Sequence, residues 1–594
     1  MTIGGIMFQI GKPTETLRLL HWTKELPRVS ENDPLGLELR VSARLANELL
    51  YCITSITPRA RYYAFFPWAM QDYNEQERLT KGDRGRIQGV LARERAMVLG
   101  AVLHHNKKTC KGGSLGGSDK AIKLVQKPAR SYDLLTWKHL NNEEGQFGAA
   151  YKGSLINLGV FKAADEVSED VEAETNELDK RTQSIEVREL SPLGLRLANA
   201  FGKSIHKTAY VSQSLTLKDK IASNVLLEFG SKAGLCEINH RSPKDRDVLR
   251  DVFFANCEEL NRPAHHRRRM SLLLLLACVK QARDAGVSLD ARTFSDMCYF
   301  DAVIDEEEES TTHPVVLPAI LSDIKERWRI FHTQGYLAVA LQSFLVAVVR
   351  QIGNKPAGVE REQLALLLNP PNLSERFTEV FGTDLPRDFY EMTPRETLAF
   401  CGITLGNARK ASLPIDAKFS ERQLEELLVE SEANEAAGVV LASMLLYQTI
   451  LRHKVRSSDQ FNNWYGQQIR NDYADVALPG LIRFFESEFG EQWTERKNSE
   501  ILDRVIWRFV IRQHQTMSYE RGFGGAAPLF HVDITRVVAT EMNYTDPRAK
   551  NSRFWSALQI LTDLGLIVKD DQVYEMTKDG EAWLASELGR VGTA

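Results

Sequence analysis

The chain has 594 residues, 43% of them apolar and 26% charged, and a formal net charge of −4. This is the composition of an ordinary globular protein with room for roughly three or four domains, and it excludes a general nucleic-acid coat. Seven scattered cysteines (Cys52, Cys110, Cys236, Cys257, Cys278, Cys298, Cys401) contain no CxxC pair, which fits a reducing cytoplasm and argues against a zinc site. Met1 to Ile10 is apolar but lacks a basic leader and a cleavage site, so no signal peptide is expected. The strongest apolar runs, Met270 to Val279 and Tyr336 to Val349, are too short to span a bilayer and predict buried helices. The expected location is cytoplasmic, with no membrane, cofactor or metal.

In chain order, Asp33-Pro34-Leu35-Gly36-Leu37 leads into a helix expected over Leu39 to Ile53, with Val41, Leu45, Leu49 and Leu50 on one face. Thr57 before Pro58 forms an N-cap and N1 pair for a second helix. That helix opens Arg59-Ala60-Arg61-Tyr62-Tyr63-Ala64-Phe65-Phe66-Pro67-Trp68. Arg59 and Arg61 are candidate phosphate contacts, since a guanidinium binds phosphate or stacks on rings. The competing reading is a buried helix whose arginines pair with acids, and so dense an aromatic cluster favours it.

This block, with the later Arg327 to Leu345, resembles a family of bacterial proteins found among anti-phage defence genes. Their shared feature is a TRARYFxFxPW block near the N-terminus. Size and layout also resemble the accessory subunit, neither nuclease nor ATPase, of Lamassu-type systems. That resemblance implies two partners, an SMC-like ATPase and an effector nuclease. It carries no catalytic residue across.

From Lys81 to Arg130 twelve Lys and Arg face three acids, an excess of nine positive charges. Lys107, Lys108, Lys111 and Lys120 in this stretch are the leading candidates for DNA contact without sequence preference. A glycine loop, Gly112 to Gly117, has P-loop spacing, but Ser118 and Asp119 stand where Lys and Ser/Thr are required. Its GxSxG match lacks the apolar strand that a nucleophile elbow needs.

A helix–glycine–strand pattern then occurs twice. Leu155-Ile156-Asn157-Leu158-Gly159-Val160-Phe161 matches Leu561-Thr562-Asp563-Leu564-Gly565-Leu566-Ile567, and Glu189 to Gly194 matches Glu575 to Gly580. In the second copy a helix over 553–564, strands at 566–568 and 573–576, and a last helix capped by Thr577 predict the back half of a winged helix. In the first, an acidic insert from Ala164 to Val187 fills the wing. Trp583, Leu584 and Leu588 of the last helix are candidate partner-docking residues. Removing residues 553–594 is expected to release a partner and leave the rest folded. Protein docking is favoured over sequence-specific DNA reading, because an acidic wing repels phosphate.

Between the copies the pattern is helical. His265 and His266 are adjacent, cannot share one helix face and have no third ligand, so no metal is expected there. Asp305 to Glu309 reads as a solvated acidic linker. Glu425 to Leu446 and Ile501 to Gln513 predict helices, and Tyr519 to Pro528 predicts a glycine-rich loop. No Walker, HExxH, histidine-triad or dinucleotide pattern is present, so no enzyme activity is expected.

The expectation is thus a mainly α, multidomain helical protein with two winged-helix-like modules. Its regions are 1–121, 122–205 (first module), 206–420, 421–552 and 553–594 (second module). Its expected role is a non-catalytic bridging or regulatory, kleisin-like subunit of an SMC-like defence complex that engages DNA. The alternatives are a stand-alone winged-helix DNA-binding regulator and a cryptic nuclease.

Overall fold

The computed structural model describes residues 33–593 except 78–81, 110–114, 128, 163–188, 240–243, 306–310, 354, 356, 371, 406–418, 431–434, 457–458, 469–475, 521–527, 534, 541–552 and 571–572. The protein is mainly α, with 68% helix and 7% strand. The acidic wing insert, Lys111 and most of the 519–528 loop lie outside the described residues.

The long helix Ser322–Gly353 is the axis of the molecule, and Glu435–Arg456 packs along it. The expected buried run Tyr336 to Val349 is its central part. Together with the preceding turn this helix, Ala319–Gly353, is long and apolar enough to cross a membrane, contrary to the length argument above. Of its apolar window, 83% is buried inside the protein. It is apolar all round because other helices cover it, as a central core helix requires.

The buried hydrophobic residues form one continuous cluster from Leu35 to Leu584. The region around the aromatic helix Tyr62–Glu77 joins that cluster through Pro192–Ile205, Gly82–His104 and Ser223–Ala233. The Gly82–His104 and Ser223–Ala233 helices meet backbone to backbone. A Cβ on Gly230 would lie 1.9 Å from the carbonyl carbon of Gly100, so only glycine permits this approach.

Strands are short, and two of the pairings join distant parts of the chain. Ser131–Asp133 pairs antiparallel with Lys220–Ala222, and Val359–Glu360 joins Arg536–Ala539 and Phe530–Asp533 in a three-stranded sheet. Ala302–Asp305 pairs with Thr311–Pro314 in register Val303 to His313. Asp305, the first residue of the acidic run, ends the first of these strands, and the rest of the run lies outside the described residues.

Several boundaries differ from expectation. Leu39 to Ile53 is not one α-helix: Leu37–Ser42 is wound as π-helix and Ala43–Leu49 as α-helix. Glu425 to Leu446 falls on two helices, Glu421–Glu430 and Glu435–Arg456. The Ile501 to Gln513 helix is continuous from Asn498 to Glu520 but passes through a π-helical stretch, Ile506–Arg512. Thr57 does not cap the aromatic helix. Its hydroxyl accepts from the Thr54 amide at 2.8 Å, closing a turn, and the helix starts at Tyr62.

Candidate functional site

The caps that Thr57 does not supply come from distant chain. The Arg59 amide donates to the Tyr151 hydroxyl at 3.1 Å, and the Ala60 amide donates to Asp563 Oδ2 at 3.0 Å. A carboxylate at a helix N-terminus also suits the helix dipole. The Arg59 side chain closes on the same carboxylate, Nε to Oδ2 at 3.0 Å and Nη2 to Oδ1 at 2.9 Å. Tyr62 lies against Tyr151 with ring centroids 4.8 Å apart, and Phe65 meets Phe201 edge-on at 5.6 Å. The aromatic segment is therefore held between the two copies of the repeated pattern: Tyr151 and Phe201 come from the first, Asp563 from the second.

Arg61 is 1% exposed. Its Nε donates to Asp245 Oδ2 at 2.8 Å, a second donor reaches the Gly234 carbonyl, and its guanidinium lies 5.2 Å from the Phe201 ring centre. Arg59 and Arg61 are thus removed as DNA contacts. Both are spent inside the fold, and the competing reading of a core helix with paired arginines describes them. Other buried arginines bind helix-end carbonyls. Arg268 donates to Val252 and Phe253 at 2.7 and 3.0 Å, and Arg250 donates to Leu564 at 2.9 Å. Positive charge at a helix C-terminus is stabilising. Arg553, which donates to the Ile53 carbonyl at 2.8 Å, is so deeply buried that its guanidinium is pulled down to about 10.

The repeated pattern forms as expected. In the second copy the Phe554–Asp563 helix ends at Gly565, φ 70°, and strands Ile567–Asp570 and Val573–Met576 pair with Val568 opposite Glu575. The Thr577 hydroxyl accepts from the Gly580 amide at 3.0 Å. In the first copy Gly159 turns at φ 80°, Phe161 and Leu190 form a single bridge, and the Ser191 hydroxyl accepts from the Gly194 amide at 3.1 Å. The would-be recognition helix is packed inward: Phe554, Ser556, Ala557, Leu558, Ile560, Leu561 and Asp563 are buried. It cannot enter a major groove while it holds Arg59.

The docking candidates also face the protein's own core. Trp583 meets Phe254 edge-on at 5.5 Å and carries Arg250 over its ring at 5.6 Å. Leu584 is buried, and Leu588 packs against the core cluster. Glu587, fully buried on the same helix, pairs with Arg269 at 2.8 Å. This apolar face is filled from within the chain and is not left open to a partner. Cutting the chain at 553 would expose it and strand Arg59, Arg250 and Arg269, so the expectation that the rest stays folded is withdrawn.

The lysines fare differently. Lys107 and Lys108 are exposed where the Gly82–His104 helix ends, Asn106 and Lys107 turning left-handed at φ 55° and 65°. Lys120, Lys123, Lys127 and Arg130 are exposed on and after the Ser118–Val125 helix, and Lys120 reaches Asn141 at 3.0 Å. Strand pairing sets Lys220 opposite Asp133, close to Arg130 in the chain. Arg93 and Arg95 leave the expected basic set. Arg93 is buried with Asp72 at 2.6 Å, and Arg95 donates to the Leu134 and Leu135 carbonyls.

Two further groupings were not expected. His104, His105 and Cys236 bring three donor atoms within 4.8 Å of one another. The signal in the sequence was a histidine pair at a helix end, but its cysteine lies 131 residues away. Elsewhere, burial pushes Asp296 and Glu425 up to about 7 despite nearby Arg422 and Arg292. Arg422 holds Asp296 at 3.0 Å, and Arg452 pairs with buried Glu421 at 2.6 Å, which ties three helices together. His265, buried against Tyr51 at 5.2 Å, is pushed down to about 3 by burial and its arginine neighbours. A cavity of about 160 Å³ beside the π-helical stretch is lined mainly by apolar side chains, among them Leu364, Tyr390, Leu502 and Trp507.

No protein-family model, curated protein or solved structure matches the chain.

Proposed function

We propose that this protein is a non-catalytic, DNA-engaging accessory subunit of an SMC-like anti-phage complex in the cytoplasm, working with an SMC-like ATPase and an effector nuclease. The observation that carries the DNA part is the exposed cationic set Lys107, Lys108, Lys120, Lys123, Lys127 and Arg130, on and just after two helices; of the acids there, Glu94 is turned inward to His139 at 2.7 Å and Asp119 is exposed. Exposed cations of this kind neutralise phosphates and release counterions without reading bases. The inward packing of the Phe554–Asp563 helix supports this reading over a sequence-specific winged-helix regulator. With Trp583, Leu584 and Leu588 filled from within, the second module is assigned the closing of this chain, and partner contacts are assigned to other surfaces.

Duplex affinity of the full chain, measured against salt, tests the DNA part. Replacing Lys107, Lys108, Lys120 and Lys123 by Ala should weaken unrelated duplexes about equally and flatten the salt slope. Unchanged affinity removes the reading. Co-purification of the full chain with an SMC-like ATPase tests the assembly part, and failure to co-purify removes it.

A further inference from the structure

We infer that His104, His105 and Cys236 form a binding site for a borderline-soft divalent metal ion of the Zn²⁺ class, with one coordination position left to solvent. The donors converge from two distant parts of the chain. His105 Nε2 lies 3.0 Å from Cys236 Sγ, and all three donor atoms fall within 4.8 Å of one another. Ligands of one tetrahedral Zn²⁺, at about 2.0 Å for nitrogen and 2.3 Å for sulfur, stand about 3.5 Å apart, so the ion needs only small side-chain movements. Two nitrogens and a thiolate with an open fourth position is a set that zinc accepts, and the thiolate excludes hard ions such as Mg²⁺.

The frame under the donors is rigid. His104 ends one helix with His105 in the turn after it, Cys236 follows another, and these two helices touch backbone to backbone at Gly100 and Gly230. Adjacent histidines in a helix point to different faces. Here His105 is the last residue before the chain turns left-handed at Asn106 and Lys107, and the two rings come to 4.8 Å. Access also singles out this thiol. Among the six described cysteines, Cys52, Cys257, Cys278, Cys298 and Cys401 are buried, and Cys236 is partly exposed. Lys107 and Lys108 carry like charge beside the site, but both are exposed and screened by salt, whereas the thiolate charge is delivered through a bond.

The test is a Co²⁺ titration of the full chain after dialysis against a chelator. One equivalent should give visible tetrahedral ligand-field bands with a sulfur-to-cobalt charge-transfer band in the near ultraviolet, and Zn²⁺ should displace both. Cys236→Ser should abolish the charge-transfer band, and His105→Gln should weaken binding roughly tenfold or more. Each variant is checked for an unchanged circular dichroism spectrum, and because both side chains are only partly buried, both should fold. No charge-transfer band in the parent protein, or a band that survives Cys236→Ser, overturns the assignment.

Discussion

At Gly159 and at Gly565 the chain leaves a helix through the same left-handed turn, φ 80° and 70°, and the next amide returns to the helix, Val160 to Leu155 at 3.1 Å and Leu566 to Leu561 at 3.0 Å. The likeness continues in the caps: the Ser191 and Thr577 hydroxyls each accept from the amide of the glycine three residues ahead. What differs is the residue two before the turning glycine. Asn157 is half-buried, whereas Asp563 is buried and holds Arg59 with two hydrogen bonds. The comparison separates two levels of information. The repeated residues set the inner geometry of the unit, and one substituted side chain decides whether the unit locks the fold.

The largest expected effect follows from that substitution. Asp563→Ala removes the carboxylate that the buried Arg59 guanidinium pairs with and should cost about 3–5 kcal/mol, whereas Asn157→Ala should stay within about 0.5 kcal/mol. Urea denaturation of the two variants reads the difference, and equal losses would erase the distinction drawn between the copies. Ending the chain at 552 removes the same carboxylate together with Glu587. It should abolish the cooperative transition, and a truncated chain that unfolds sharply would show the second copy to be dispensable.

Next come the cap glycines. A Cβ on Gly194 would lie 2.2 Å from the Val160 carbonyl oxygen, and on Gly580 1.9 Å from that of Leu566. Gly194→Ala and Gly580→Ala should therefore each cost about 1–3 kcal/mol, in similar measure. A loss confined to one copy would mean that the shared geometry is not shared in energy. A smaller effect is expected of the caps themselves: Ser191→Ala and Thr577→Ala should each cost about 1 kcal/mol by thermal melting.

The repeated unit was legible in the sequence because everything that builds it is local: a glycine that must turn left-handed, a hydroxyl that caps three residues on, apolar residues at helical spacing. The core role of the Tyr62 to Trp68 cluster was legible from its aromatic density. The partners of Arg59 and Arg61 were not, because Asp563 and Asp245 lie 504 and 184 residues away and no spacing rule reaches them. Trp583 and Leu584 were misread for the same reason. A helix's apolar stripe says that it is covered, and not whether the cover comes from another chain or from Phe254. His104, His105 and Cys236 escaped because ligand motifs are recognised by short spacing, and here two helices in backbone contact do the work that spacing does in a zinc finger.

The pairing of Arg59 with Asp563 also sets an order of events during synthesis. At roughly 5–20 residues per second, a ribosome needs about 25 to 100 seconds to make the 504 residues between them. Throughout that interval the aromatic segment exists without the carboxylate that seats it, and its rings have only part of their final cover. A nascent chain in this condition is a substrate for chaperones that shield apolar surface, and a chain released early is a substrate for proteases. The fold thus couples the seating of the Tyr62–Glu77 helix to the synthesis of the Phe554–Asp563 helix.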